Sequence, residues 1–253
     1  ENTYSYKWLF KQLNYWQQYL HDHSIPQGAV VAVYGDFSPN SVALFLALIE
    51  HVCVVVPLTE SVKNKVSDFC EIAQVNYVFY LDNLDNAQLD ILPCQVTHPL
   101  LQELMKTQAP GLILFSSGST GKSKAAVHDI TGMLEKYKTP RPSLKTITFL
   151  LYDHIGGVNT MLHTLSNAGC IFTLIDRNPD TVLAAIEKYQ IELLPTSPTF
   201  INMILLSEAY CRYNLDSLKI ISYGAEPMPE SSLKRIHEIM PAVKLLQTYG
   251  LSE

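Results

Sequence analysis

Apolar and polar positions alternate along this chain in two different rhythms, and the rhythms take turns. Between Tyr4 and Tyr19, Trp8, Leu9, Leu13 and Trp16, continued by Leu20, recur at helical spacing, which predicts an amphipathic helix ending before Pro26 and Gly28. Ala29 to Tyr34 is a short β-branched run that predicts a strand. Ser41 to Glu50, after Pro39, predicts an apolar helix, and Val52 to Val56 a second strand. A helix around Val62 to Ala73 and a strand at Tyr77 to Leu81 continue the alternation. The Asp/Asn-rich stretch from Asp82 to Asp90 reads as irregular, and Leu112 to Phe115 as a buried strand.

Thr139 to Lys145, with two prolines and two charges, interrupts the pattern and is the best internal boundary. Beyond it the alternation resumes. Strands are predicted near Thr146 to Leu151, Cys170 to Leu174, Ile191 to Leu193 and Leu218 to Ser222. Helices are predicted near Val158 to Ser166, Thr181 to Tyr189, Thr199 to Leu206 and Glu230 to Met240. Strand and helix in turn predict an α/β fold, layered α/β/α with mostly parallel sheets in two lobes.

Composition narrows the class. With 253 residues, 47% of them hydrophobic, the chain can bury a substantial core. A formal net charge of −6 with thinly spread basic residues gives no reason to expect nucleic acid or an anionic membrane as partner. No apolar run approaches the roughly 20 residues that span a bilayer. The five cysteines are scattered without a CxxC pair, which predicts neither a disulfide framework nor a zinc site and makes the cytoplasm the expected compartment.

The most chemically pointed segment is Leu112 to Asp129, LILFSSGSTGKSKAAVHD. An apolar strand stops at Ser116, Ser117, Ser119 and Thr120, whose hydroxyls donate hydrogen bonds. Gly118 and Gly121 let backbone N–H groups approach an anion, and Lys122 and Lys124 add positive charge. A Walker-type loop is a poor match: Gly121-Lys122-Ser123 fits its second half, but Ser116 stands where its first glycine belongs. A plain surface loop is the common fate of Ser/Gly clusters, yet it leaves the hydroxyls, glycines and lysines packed behind one strand without a purpose. His128 and Asp129 are read as the start of a helix.

The run SSGSTGKSKAAVH closely resembles the phosphate loop of the adenylate-forming superfamily, which includes acyl-CoA and aryl-CoA synthetases, luciferases and the adenylation domains of peptide synthetases. Two further motifs follow in the family's order: the turn Gly224-Ala225-Glu226-Pro227 and the segment Tyr249-Gly250-Leu251-Ser252-Glu253. The resemblance implies the N-terminal portion of an acyl-CoA synthetase-like ligase. Such an enzyme joins a small carboxylic acid to ATP as acyl-AMP with release of pyrophosphate, then transfers the acyl group to coenzyme A or to the phosphopantetheine thiol of an acyl carrier protein. It also implies that the first helix packs with the second lobe.

The resemblance assigns roles by position. Ser116 to Lys124 would hold the leaving phosphates, with Lys122 as the principal charge. Gly224 to Pro227 would line the adenine and acid sites, Tyr249 would stack on adenine beside Gly250, Ser252 would meet the α-phosphate and Glu253 would hold Mg²⁺. Tyr152-Asp153-His154-Ile155-Gly156-Gly157 matches a segment beside the acid, so His154, Gly157 and Gly224 are the candidate acid contacts; a satisfied core histidine remains an equal reading of His154. Ser197-Pro198-Thr199 resembles another loop lining that pocket.

Two positions depart from the family pattern. Ser123 stands for the usual proline between the lysines, and Ala125 for the usual glycine, which bears on the rigidity of the loop. The family's ribose-binding acid, hinge and small C-terminal domain with its catalytic lysine have no counterpart in these 253 residues, which are expected to bind ATP weakly and form little adenylate on their own. The alternative reading is a non-catalytic nucleotide-binding or scaffold module built on the same fold.

Overall fold

A computed structural model of the chain describes residues 2–117, 123–174 and 176–250. The chain divides into two compact units, the first running through Lys136 and taking in Tyr152–His154, the second comprising Tyr137–Leu151 and the chain from Ile155 onward. The division at Lys136 and Tyr137 falls slightly ahead of the proline-containing segment at 139–145.

The first unit is built on a six-stranded sheet. Its strands are β1 (Val30–Tyr34), β2 (Val54–Leu58), β3 (Tyr77–Leu81), β4 (Ala87–Ile91), β5 (Gly111–Ser117) and β6 (Ser123–Asp129), in spatial order β4-β3-β1-β2-β5-β6. The four inner strands run parallel, and the edges β4 and β6 are antiparallel to their neighbours. Val30 to Val33 and Val54 to Val56 are fully buried, as expected of strands covered on both faces, so here the continuous apolar run rather than strict alternation marks the parallel strand.

Helices α1 (Tyr6–Asp22), α2 (Pro39–Glu50), α3 (Val66–Ile72), α4 (Pro99–Thr107) and α5 (Ile130–Glu135) complete this unit. Local chemistry sets their starts. The Ser38 hydroxyl accepts from the Ser41 N–H while the Ser41 hydroxyl accepts from the Ser38 N–H, and Pro39 opens the first turn of α2.

The second unit holds an all-parallel sheet of β7 (Lys145–Ile147), β8 (Cys170–Phe172), β9 (Leu193–Thr196), β10 (Ile220–Tyr223) and β11 (Lys244–Gln247), in the order β11-β10-β9-β7-β8. Its helices are α6 (Ile155–Ser166), α7 (Pro179–Tyr189), α8 (Pro198–Ser207) and α9 (Glu230–Ile239). Asn178 and Ser197 cap α7 and α8 ahead of a proline at the first helical position, and Gln190 and Glu208 end them in the left-handed conformation. Val182, Ile186, Leu194, Phe200, Ile201, Ile204, Ile221 and Ile236 form the heart of its core.

Several expectations are corrected. The stretch read as irregular contains most of β4, and in the turn ahead of it the Asp82 carboxylate accepts the Leu84 and Asn86 N–H groups, folding the chain back onto β3. The helix expected over 62–73 is a 3₁₀ turn at Glu60–Lys65 followed by α3, with Val62 out of helical conformation. Helix α4 and strand β11 went unpredicted. The helix read from His128 and Asp129 begins at Ile130: these two residues close strand β6, and the Asp129 side chain caps α5 by accepting from the Thr131 N–H.

Helix α1, expected with the second lobe, belongs to the first unit. Trp16 and Leu20 are buried there, Trp16 packs edge-on against Phe79, and the Trp16 indole N–H and the Gln12 amide both donate to Asn40 Oδ1. Asn40 is fixed in turn by Asp85, whose Oδ2 accepts the Asn40 N–H at 2.8 Å and whose carbonyl accepts the Asn40 amide at 2.9 Å. An indole, a helix start and a strand-connecting turn thus share one polar knot.

Burial raises the Asp85 carboxyl above its ordinary range, against the lowering effect of the Ser38 hydroxyl and the Asn40 N–H. A carboxyl whose folded value is raised binds more protons in the folded state, so its contribution to stability grows as pH falls from neutral toward the unfolded carboxylate range. Asp85→Asn removes that term. In thermal melts between pH 7 and pH 4.5, the wild type should gain on the Asn variant as pH falls; a constant difference, or one of opposite sign, contradicts this account.

Candidate functional site

The predicted phosphate loop is the connection of an antiparallel hairpin. β5 and β6 pair from Gly111 with Asp129 through to Ser116 with Lys124 and Ser117 with Ser123, so the chain leaves and re-enters the sheet at adjacent positions. Phe115 is stacked on Phe69 of α3 at 3.8 Å between ring centroids, which anchors the end of β5 to the core. Ser116 lies half-buried at the strand end and Lys124 is exposed. Gly118, Ser119, Thr120, Gly121 and Lys122 lie outside the described residues.

In the second unit, three segments named from sequence meet at the C-terminal ends of β9, β10 and β11. This is the edge at which open α/β sheets bind ligands, because loops there carry N–H groups and helix starts. Gly224 directly follows β10, and a Cβ built on it would lie 2.6 Å from both the carbonyl oxygen and the Oγ1 of Thr248, so only glycine lets the two loops touch. Thr248 in turn donates its N–H to the Tyr223 carbonyl at 2.7 Å and its hydroxyl to the same oxygen at 3.1 Å. The turn beginning at Gly224 and the segment beginning at Tyr249 therefore lie side by side. Thr248 carried no signal in the sequence, being an ordinary residue whose value is its position.

Ala225 adopts a left-handed backbone with φ of 68°, which bends the chain sharply after β10. Glu226 is committed locally: its Oε2 accepts the Thr199 N–H at 3.1 Å and the Thr199 hydroxyl at 2.5 Å, placing a carboxylate at the N-terminus of α8. The loops Ser197 to Thr199 and Gly224 to Pro227, singled out separately from sequence, are thus tied together. Thr196, at the end of β9, is buried, and its hydroxyl has no hydrogen-bond partner among the described residues. Tyr249 is 92% exposed and a Cβ on Gly250 would meet nothing within 4 Å, so neither is held by packing. Ser252 and Glu253 lie outside the described residues, and among the described residues no group of three or more His, Cys, Asp or Glu is arranged to hold a metal ion.

The acid-side candidates divide between the units. Gly157 lies in α6, where a Cβ would stand 2.0 Å from the Leu151 carbonyl oxygen, so its glycine is required by the backbone that precedes the helix. His154 packs with the first unit, as part of Tyr152–His154. Tyr152 is fully buried against Phe37 and Phe45, and burial pushes its phenol well above the ordinary range, so it stays neutral. The His154 side chain is 57% exposed. That removes the reading of it as a satisfied core histidine. No helix among the described residues is long and apolar enough to cross a membrane.

Comparison with known proteins follows the same line. The family model described as AMP-binding enzyme matches residues 1–253. The chain is 28% identical over 156 residues to 4-coumarate–CoA ligase-like 9 of Arabidopsis thaliana, covering 57% of this chain and 27% of that protein. It is 23% identical over 258 residues to D-alanine–D-alanyl carrier protein ligase of Streptococcus pneumoniae, covering 90% of this chain and 49% of that one. The chain thus spans about half or less of these relatives. Its fold matches that of the luciferase-like enzyme from the mealworm Zophobas morio with a TM-score of 0.80 at 19% identity, over the whole of this chain and 67% of the other.

Gly224 and Gly250 should respond oppositely to a methyl group. Gly224→Ala must push backbone against backbone and is expected to destabilise the second unit by about 1–3 kcal/mol, whereas Gly250→Ala, with open space around it, should leave stability within about 0.5 kcal/mol. Denaturant unfolding of both variants checks this, and equal effects would contradict it.

Proposed function

The chain belongs to the AMP-binding enzyme family, and from that membership we propose that it is the N-terminal, ATP-binding portion of an AMP-forming carboxylic acid ligase. In the reaction the acid carboxylate attacks the α-phosphorus of ATP, the bond to the bridging oxygen breaks, and pyrophosphate leaves with that oxygen. The acyl-AMP then passes its acyl group to a thiol. The observation that supports this reading is the close approach of the Gly224 turn to Thr248, which immediately precedes Tyr249, at the C-terminal edge of the second sheet.

The chemistry asked of the protein is positioning and neutralisation of charge. Ser116, Ser117, Ser119, Thr120, Lys122 and Lys124 suit the leaving β- and γ-phosphates, and the strands on either side of this segment pair with one another. Tyr249 offers an exposed ring for adenine and Gly250 the open space for close approach. Ser252 is assigned to the α-phosphate. Glu253 is suited to Mg²⁺, which supplies charge to the phosphates when bound. His154, Gly157 and Gly224 are assigned to the acid. The thiol is coenzyme A or a carrier-protein phosphopantetheine, since relatives are named for each.

Lys122→Ala should weaken binding of Mg·ATP to the 253-residue chain by about tenfold, the loss of one charge-assisted contact to phosphate. Gly250→Ala, neutral for stability, should weaken it as well. Titration calorimetry reads both, and unchanged affinity in the lysine variant counts against the assignment. Exchange of labelled pyrophosphate into ATP across a panel of aliphatic, aryl and amino acids tests the reaction. The 253 residues alone should exchange poorly, and chain extended with the relatives' ribose-binding and closing-lysine segments should exchange with at least one acid; no exchange with any acid by the extended protein would overturn the ligase reading.

A further inference from the structure

The buried carboxylate of Asp153 has one oxygen fully used and one left over. Asp153 is 7% exposed, and its Oδ2 accepts from the Thr59 hydroxyl at 2.7 Å and the Ser61 hydroxyl at 3.3 Å, both residues just beyond the end of β2. Thr59 is itself 2% exposed. These bonds hold Tyr152–His154 in the first unit, together with the packing of Tyr152 on Phe37 and Phe45.

Oδ1 is buried and has no hydrogen-bond partner among the described residues. A carboxylate oxygen removed from water and left unpaired is costly, and a donor within reach relieves that cost. A nitrogen within ion-pair range among the described residues is Nε2 of His154, 3.8 Å away, on a side chain that is more than half exposed. At that distance the contact is electrostatic; a small rotation of the imidazole makes it a hydrogen bond, a tightening common when a site fills with ligand.

The geometry points to Asp153 as a positioning residue for His154: Oδ1 keeps a proton on Nε2, orients the ring and leaves Nδ1 as the atom that faces the acid substrate. An imidazole has two nitrogens, and the partner of one decides the state of the other. A carboxylate accepts only, so it selects the tautomer with Nε2–H toward itself. Asp153 is anchored by Thr59 and Ser61 from a different part of the chain, so the ring is referred to the core of the first unit instead of to its own loop. Nothing in the spacing of the sequence suggests this, because Thr59 and Asp153 are 94 residues apart. The acid-facing half of the inference rests on the acid-ligase reading, whereas the pairing of Asp153 with His154 does not.

Long-range proton–nitrogen spectra of the ¹⁵N-histidine-labelled 253-residue chain test it, with the His154 signals identified by their loss in His154→Gln. The wild type should show Nε2–H as the main tautomer. Asp153→Asn, which turns a pure acceptor into a group that also donates, should lower the Nε2–H to Nδ1–H ratio about fivefold, the size expected for a partly solvated charge-assisted contact. Thr59→Val, which removes an anchor but leaves Oδ1, should keep the wild-type tautomer. An Nδ1–H wild type, or an unchanged ratio in a folded Asp153→Asn variant, overturns the pairing, the first of these even if that variant does not fold. Titration with Mg·ATP and the acid panel is read separately: the His154 signals should move with a bound acid and shift less in Asp153→Asn. An Nε2–H ring that no acid perturbs, in a chain that binds ATP, overturns the acid-facing role and leaves the pairing standing.

Discussion

Parallel pairing of β9, β10 and β11 is the constraint on which the second unit depends. Parallel strands end at the same edge of the sheet, so every loop that follows one emerges beside its neighbours' loops. The register of Tyr223 with Thr196 on one side and with Gln247 on the other brings the loops after three strands to a common level. Gly224 then decides how close two of them come. Its missing side chain admits the Thr248 carbonyl and hydroxyl, and Thr248 closes the contact through two hydrogen bonds to the Tyr223 carbonyl. A side chain at 224 would force these two loops apart, above a core formed by Ile221, Leu194, Ile204 and Ile236.

The legible part of the fold was the part governed by continuous local chemistry. The runs at Val30–Tyr34 and Tyr77–Leu81, and helices begun by Ser or Asn followed by Pro, announce themselves within a few residues. Strand β4 did not, because its sequence AQLDI has weak strand preference and is held by pairing along β3 and by the Asp82 turn. The placement of α1 is not legible for a related reason: amphipathic spacing names the buried face of a helix but not the surface that covers it. That surface is made by Phe79, against which Trp16 packs, and by Asn40, which collects bonds from Gln12 and Trp16 on α1.

The site was legible as a set of motifs and illegible as a set of contacts. Glu226 reads in sequence as one letter of a turn; in the fold its carboxylate is engaged with Thr199, which ties the turn to the start of α8. Gly157 reads as half of a glycine pair; its need is the Leu151 carbonyl 2.0 Å from where a Cβ would sit. In both cases the motif residue earns its identity from a backbone atom elsewhere, and sequence spacing carries no record of that atom.

The departures at Ser123 and Ala125 now have a physical meaning. Both belong to β6, with Ser123 in register with Ser117 and Ala125 with Phe115. A proline at 123 has no N–H to offer a ladder, and a glycine at 125 would add backbone freedom and remove a side chain from a face packed against the core. Ala125 lies against the cluster that contains Phe69, alongside Phe115 and Val127. Serine and alanine therefore keep both positions compatible with the β5–β6 pairing. The ends of the connection between these strands are thereby held by that pairing, Ser117 opposite Ser123.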